Sequence, residues 1–225
     1  MDKKQGKLIV IDGIDGSGKT TQIELLTKYL ASENMPFEVI SFPQYGKNEY
    51  ARQITDYLEG KKGSLQDVDP YKMAKLYASD RLTARELITG WLESGELVIA
   101  NRYVSASIAH LGANMEEGER EKFMEWIDTL EYQTNNMPKP TLNILLKVDP
   151  KIGQQNALKD HLVDIHEQSL EHEQKASGIY LKISQLEENW MVLDCMEKGE
   201  MKSKEKIHQE IINILQGKIY PIGRF

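Results

Sequence analysis

The segment Gly13-Ile14-Asp15-Gly16-Ser17-Gly18-Lys19-Thr20 fits the spacing G-x-x-x-x-G-K-[ST]. Residue types in this pattern hold phosphate. Glycines let backbone N–H groups turn inward around an anion, and the helix that opens at the lysine adds the partial positive charge of its N-terminus. Lys19 would reach the β- and γ-phosphates, and the Thr20 hydroxyl would ligate Mg²⁺. A nucleoside triphosphate is therefore the expected ligand, with Gly13 to Thr20 and the adjoining Thr21 as its binding loop. The loop by itself does not separate a GTPase, an ATPase and a small-molecule kinase.

The flanking elements are those such a loop needs. Lys7 to Asp12 (KLIVID) is a short β-branched run ending at glycine, and Thr20 to Ala31 then shows helical spacing, with Ile23, Leu26, Tyr29 and Leu30 on one face. Phe37 to Phe42 reads as a second strand closed by Pro43, and Glu49 to Leu58 as a helix ending at Gly60 before the polar break KKGS. One long helix is predicted over Pro70 to Glu93, with Asp69 as N-cap, Pro70 at the first helical position and Gly95 beyond its end. Leu97 to Ala100 and Thr141 to Val148 are near-continuous apolar runs, as in strands covered on both faces. Glu117 to Tyr132 reads as a helix, Trp190 to Leu193 as a last strand, and Lys204 to Leu215 as the closing helix. This alternation predicts a doubly wound α/β fold with about five parallel strands, in one domain spanning 1–225.

The stretch from Lys151 to about Lys175 is polar and rich in histidine and charge, and reads either as a solvated helical hairpin or as a mobile lid. Its His161, His166 and His172, five and six residues apart, match no zinc-binding spacing.

Composition narrows the remaining classes. The 225 residues carry 28 Lys plus Arg against 35 Asp plus Glu, a balance of −7 that argues against holding nucleic acid or an anionic membrane by diffuse positive charge. No apolar run approaches the roughly 18 residues of a membrane span, and no secretory h-region follows the N-terminal lysines, so a cytoplasmic protein is expected. The lone Cys195 excludes an internal disulfide and reads as a buried free thiol. Trp91, Trp126 and the helical methionines read as core or subunit-interface residues.

Beyond the loop, an ordered series of segments resembles the thymidylate kinase family. Ile11 to Thr21 resembles that family's phosphate loop, which carries an internal acid. Phe42-Pro43 resembles the start of its Phe-Pro-Glu-Arg segment, and Tyr77 with Arg81 its aromatic-x-x-x-Arg helix. Asn101-Arg102-Tyr103 resembles its Asp-Arg-Tyr, and Lys139-Pro140-Thr141 its Lys-Pro-Asp. The resemblance implies a P-loop NTPase-type three-layer sandwich with a helical lid at about 151–175, ATP and Mg²⁺ as cofactors, dTMP as acceptor, and a homodimer. It implies Lys19, Arg102 and Asp15 as catalytic residues, with Asp15 accepting from the acceptor sugar's 3′-hydroxyl and Arg102 clamping the acceptor phosphate. It further places Phe42, Tyr45, Tyr77, Arg81 and Tyr103 at the acceptor, Tyr77 and Arg81 facing the base and Tyr103 the sugar's 2′ position.

Three departures stand out. Asn101 replaces the family's acid beside the Mg²⁺ water shell, and Asp12, at the end of the neighbouring strand, is the candidate to compensate. Tyr45 replaces a phosphate-clamping arginine. No arginine occurs between Lys151 and Lys175, leaving Lys159 and Lys175 to supply charge there. A related kinase for another nucleotide or nucleoside, or a weakly active nucleotide-binding regulator, are the alternatives.

Overall fold

A computed structural model describes residues 5–61, 68–160 and 169–220. Its centre is a five-stranded parallel sheet in the order β2-β3-β1-β4-β5, formed by β1 (Lys7–Asp12), β2 (Phe37–Ser41), β3 (Leu97–Asn101), β4 (Leu142–Lys147) and β5 (Trp190–Asp194). The chain runs from β1 to the edge strand β2, returns to lay β3 between them, then crosses to β4 and β5 on the other side of β1. The carboxyl end of β1 therefore faces the crevice where such sheets bind ligands.

Alternation along the strands separates two apolar cores. Ile9, Ile11, Leu97 and Ile99 pack with α1 (Lys19–Ser32) and α9 (Lys204–Lys218), whereas Leu8, Val10, Val98 and Ala100 face the opposite layer. That layer contains α2 (Glu49–Leu58), α3 (Pro70–Leu82), α4 (Arg85–Glu93), α5 (Val104–Gly112) and α6 (Glu117–Asp128). A third apolar cluster, including Ala106, Ala109, Ala176, Ile179 and Tyr180, joins α5 to α8 (Leu170–Ile183). Trp126 and Trp91 pack on the second core, and Cys195 is a buried free thiol.

The long helix expected over Pro70 to Glu93 is two helices. Asp69 caps the first through a bond from the Tyr71 N–H (2.9 Å). The break has a local cause at the Asp80 carbonyl, which accepts from the Thr83 hydroxyl (2.7 Å) and the Gln44 amide (2.7 Å). The Ala84 N–H turns instead to the Arg81 carbonyl three residues back, which tightens the turn and ends the α-ladder. The predicted helix from Glu117 likewise changes at Thr129 to a π-helical turn over Thr129–Thr134.

Within 151–175, α7 (Pro150–Asp160) and α8 are helical, and the residues between them, with His161 and His166, lie outside the described residues, as does most of the KKGS break. The solvated reading does not hold for α8, which buries His172, Glu173, Ala176, Ile179, Tyr180 and Ile183. A short hairpin, β6 (Met196–Glu197) and β7 (Glu200–Met201), precedes α9. Among the described residues, no helix is long and apolar enough to cross a membrane.

Candidate active site

The phosphate loop runs from the end of β1 to the start of α1. Gly18 caps α1 with φ of +89°, no side chain caps the helix and no acid lies in its first turn. The first N–H groups of α1 therefore stay available to an anion. Gly16 holds φ of +67°, and a Cβ there would sit 1.9 Å from the Gly153 carbonyl oxygen of α7. The loop and α7 thus meet backbone to backbone, and Asn156 adds a bond to the Gly16 carbonyl (3.3 Å). The Ile14 side chain points into the α5–α8 core, so only its backbone belongs to the loop surface.

Lys19 is buried, and its ammonium donates to the carbonyls of Gly13 (2.9 Å) and Ile14 (2.8 Å). Burial, with the like charge of Arg102, lowers its pKa to about 8 despite Asp15 and Asp12. Arg102 follows β3 in the left-handed region (φ +62°), a conformation non-glycine residues adopt at a cost and one frequent at functional positions. Its guanidinium is bonded to the Asp15 carboxylate. Burial opposes the charge of Asp15, but Arg102 and then Lys19 override it and hold the carboxyl well below the usual range. Burial likewise opposes the charge of Arg102, but Asp15, together with Tyr180, Tyr45 and Asp12, overrides it and raises the Arg102 pKa.

A cleft with two lobes opens at this pair. One lobe is lined by Gly16, Gly18, Lys19, Thr20, Thr21 and Asn101. The other is lined by Tyr77, Arg81, Tyr103, Ser107 and His110, while Asp15, Phe42, Tyr45 and Arg102 belong to both. All seven residues assigned to the acceptor in the sequence thus lie around one cavity. Phe42 and Tyr103 are held ring to ring (5.8 Å), and the Tyr103 hydroxyl donates to the Pro138 carbonyl (3.0 Å).

Arg81 is buried and fixed by Glu131 of the π-helical turn (Nε to Oε1, 2.9 Å), by the Ser107 hydroxyl (2.9 Å) and by the Tyr103 carbonyl (3.3 Å). A buried guanidinium requires a carboxylate. Sequence reasoning missed Glu131 because it lies 50 residues away in an otherwise ordinary helical pattern. Asp80, one turn-neighbour of Arg81, holds the loop after β2 by accepting from the Gln44 N–H (3.0 Å) and the Asn48 amide (2.7 Å).

The expected compensation by Asp12 does not occur. Ile11 pairs with Asn101, so Asn101 shares the α1 side of the sheet, and Asp12, one residue on, points to the other side. There its carboxylate accepts from the Gly13 N–H (3.1 Å), the Tyr180 hydroxyl (2.6 Å) and the Ser105 hydroxyl. Asn101 faces the cleft with Thr20, and its buried Oδ1 has no hydrogen-bond partner among the described residues. Lys175 does not serve the site either, since it pairs with Glu171 (2.7 Å) and borders a separate cavity beside Arg120.

Glu173 of α8 is a further residue that the sequence did not flag. It is fully buried, and Oε2 accepts from the Asp15 N–H (3.3 Å). Burial, reinforced by Asp15, raises its pKa to about 8.

With this geometry in hand, comparison with known proteins is informative. Residues 11–211 match the profile of the thymidylate kinase family. Thymidylate kinase of Mycobacterium tuberculosis is 30% identical over 79% of this chain and 85% of its own. A probable thymidylate kinase of Pyrobaculum aerophilum is 34% identical over 85% and 90%. The solved thymidylate kinase of Candida albicans superposes with a TM-score of 0.74 over 95% of this chain and 92% of its own, at 21% identity, and so supports the fold. The matched span includes the phosphate loop, both lobes of the cleft and the helices that close them, and on this basis the chain belongs to the thymidylate kinase family.

Proposed function

We propose that the chain transfers the γ-phosphoryl group of ATP to dTMP, giving dTDP and ADP. The observation that carries this reading is the single cavity around Phe42, Tyr45, Tyr77, Arg81 and Tyr103, opening at Asp15 and Arg102 onto the phosphate loop. The acceptor phosphate is already an anionic nucleophile at neutral pH, so the protein's task is alignment and charge neutralisation. Lys19 then serves the β- and γ-phosphates, Arg102 the acceptor phosphate and the moving group, and Asp15 the sugar hydroxyl. Substrate must exchange the Asp15–Arg102 contact for its own.

Mg²⁺ fits the residues present: Thr20 offers a hydroxyl at the start of α1, and the orphaned Oδ1 of Asn101 lines the same lobe and can accept from the ion's water shell. When bound, the ion supplies charge neutralisation at the phosphates. A homodimer is carried by the family resemblance alone, and a cytoplasmic location by the composition of the sequence.

The test is ADP release from ATP and Mg²⁺ against a panel of nucleoside monophosphates. The highest kcat/KM is expected with dTMP and a poor value with UMP. A panel led by GMP or CMP would reject the acceptor assignment, and absence of acceptor-dependent turnover with retained ATP binding would favour a regulator.

A further inference from the structure

Behind the acceptor lobe, α5 and α8 bring together three side chains that the transfer reaction does not use. His110 of α5 and His172 and Glu173 of α8 place a ligand atom each within 4.8 Å of one another. The two imidazole rings stack with centroids 5.7 Å apart. Nδ1 of His172 lies 3.0 Å from Asn114 Oδ1 and can donate to that oxygen. Such a carbonyl contact on the far ring nitrogen is the usual support of a metal-binding histidine.

Glu173 adds an independent observation. It is fully buried, Oε2 is engaged by the Asp15 N–H, and Oε1 has no hydrogen-bond partner among the described residues. Buried carboxylate oxygens without a donor are rare in folded proteins and call for an explanation. A cation shared with the two imidazoles provides one.

We propose that His110, His172 and Glu173 form a binding site for a divalent transition-metal ion of the Zn²⁺ class, separate from the Mg²⁺ of the nucleotide. Two imidazoles and one carboxylate are donors that such an ion favours, whereas Mg²⁺ favours an all-oxygen shell. Ligand atoms bonded to Zn²⁺ at about 2.0–2.1 Å lie about 3.4 Å apart, so the widest pair must close by about 1.5 Å, within reach of side-chain rotation. His110 borders the acceptor lobe, so the fourth position opens there to water. An ion in this site would tie α8 to α5 and, through the Glu173 contact with the Asp15 N–H, to the phosphate loop.

The test uses the full-length, chelator-stripped protein in saturating Mg²⁺, titrated with Co²⁺ as a spectroscopic probe and then with Zn²⁺. One equivalent of Co²⁺ is expected to give a ligand-field absorption band that Zn²⁺ abolishes. His110→Asn, His172→Ala and the isosteric Glu173→Gln should each weaken binding about 10- to 100-fold. His161→Ala, His166→Ala and His208→Ala should bind as wild type does. If His172→Ala fails to fold, the other two variants decide. Absence of stoichiometric binding, unchanged affinity in Glu173→Gln, or loss of binding in the His161 or His166 variant overturns the proposal. Binding is read without turnover, so the result is independent of the kinase reading.

Discussion

Lys19 has a lowered pKa because its charge is buried beside Arg102, and this has opposite consequences for activity and stability. In the free enzyme the ammonium is lost as pH rises through about 8, so kcat/KM for ATP should fall above that pH. In the ternary complex phosphate restores the charge, and the basic limb of kcat should lie higher. Parallel pH profiles check this, and a kcat/KM that stays flat to about pH 9.5 contradicts it. Between about 8 and the ordinary 10.5 the unfolded chain holds the extra proton, so folding stability rises with pH across that window. A second prediction concerns Asp12, whose carboxylate holds Gly13, Ser105 and Tyr180. Asp12→Asn should destabilise the fold by about 2 kcal/mol and leave the Mg²⁺ requirement of the reaction unchanged. Urea unfolding and a Mg²⁺ titration of the rate measure the two effects separately, and a shifted Mg²⁺ requirement at wild-type stability would reverse the assignment. At this scale motif spacing picked out the loop from Gly13 to Thr20, and the family resemblance assigned to the acceptor seven positions that the structure gathers around one cavity. Proximity in the sheet misled for Asp12, because adjacent strand residues face opposite layers.

The helices that sequence reading found are those whose apolar residues face one way: α1, α2 and α9 kept a clean period because each has one covered face, whereas the strands stood out as continuous apolar runs. α5 escaped notice because Val104, Ala106, Ala109 and Leu111 bury it on more than one side, which erases the amphipathic stripe. The β6–β7 hairpin turns on Lys198 and Gly199, both at positive φ, and Lys at the first position hides a turn that Asn or Asp would have announced. The break after Leu82 is set partly by Gln44 from the loop after β2, a partner that the local pattern could not show. Contact between elements also yields a prediction at Gly153. A Cβ there would lie 2.7 Å from the Asp15 carbonyl oxygen, pressing α7 off the loop. Alanine is better than glycine within a helix by about 1 kcal/mol, so helix propensity alone would make the change favourable. Gly153→Ala should nevertheless lower kcat/KM for ATP at least about tenfold, a loss of about 1.4 kcal/mol in transition-state stabilisation. Wild-type kinetics in this variant would show that α7 yields freely.

Over the whole molecule, strand and helix alternation was enough to foresee a parallel doubly wound sheet, because strands covered on both faces read as continuous apolar runs. Strand order was not foreseen, since it depends on which helices cross which face. The fold places the loop from Gly13 to Thr20, the proposed nucleotide site, at a junction between cores: α1 leaves it into one, and Asp12, Ile14 and Tyr180 connect it to another. Ligand binding should therefore be felt by the global unfolding transition. ADP at 100 times its Kd should add about 2.7 kcal/mol, raising the Tm by about 5–10 °C for a chain of this size. Calorimetry with and without ADP measures the shift, and Lys19→Ala at the same ADP concentration should show a markedly smaller one. An equal shift in both proteins would place the nucleotide elsewhere.

Lys19 rests on the Gly13 and Ile14 carbonyls and Arg102 on Asp15. On the proposed reading, in which both cations hold phosphate, each carries its own replacement partner. A departing anion then does not have to leave a bare charge behind in a buried site, because the chain supplies a substitute as it goes. Product release becomes an exchange between an external and an internal partner.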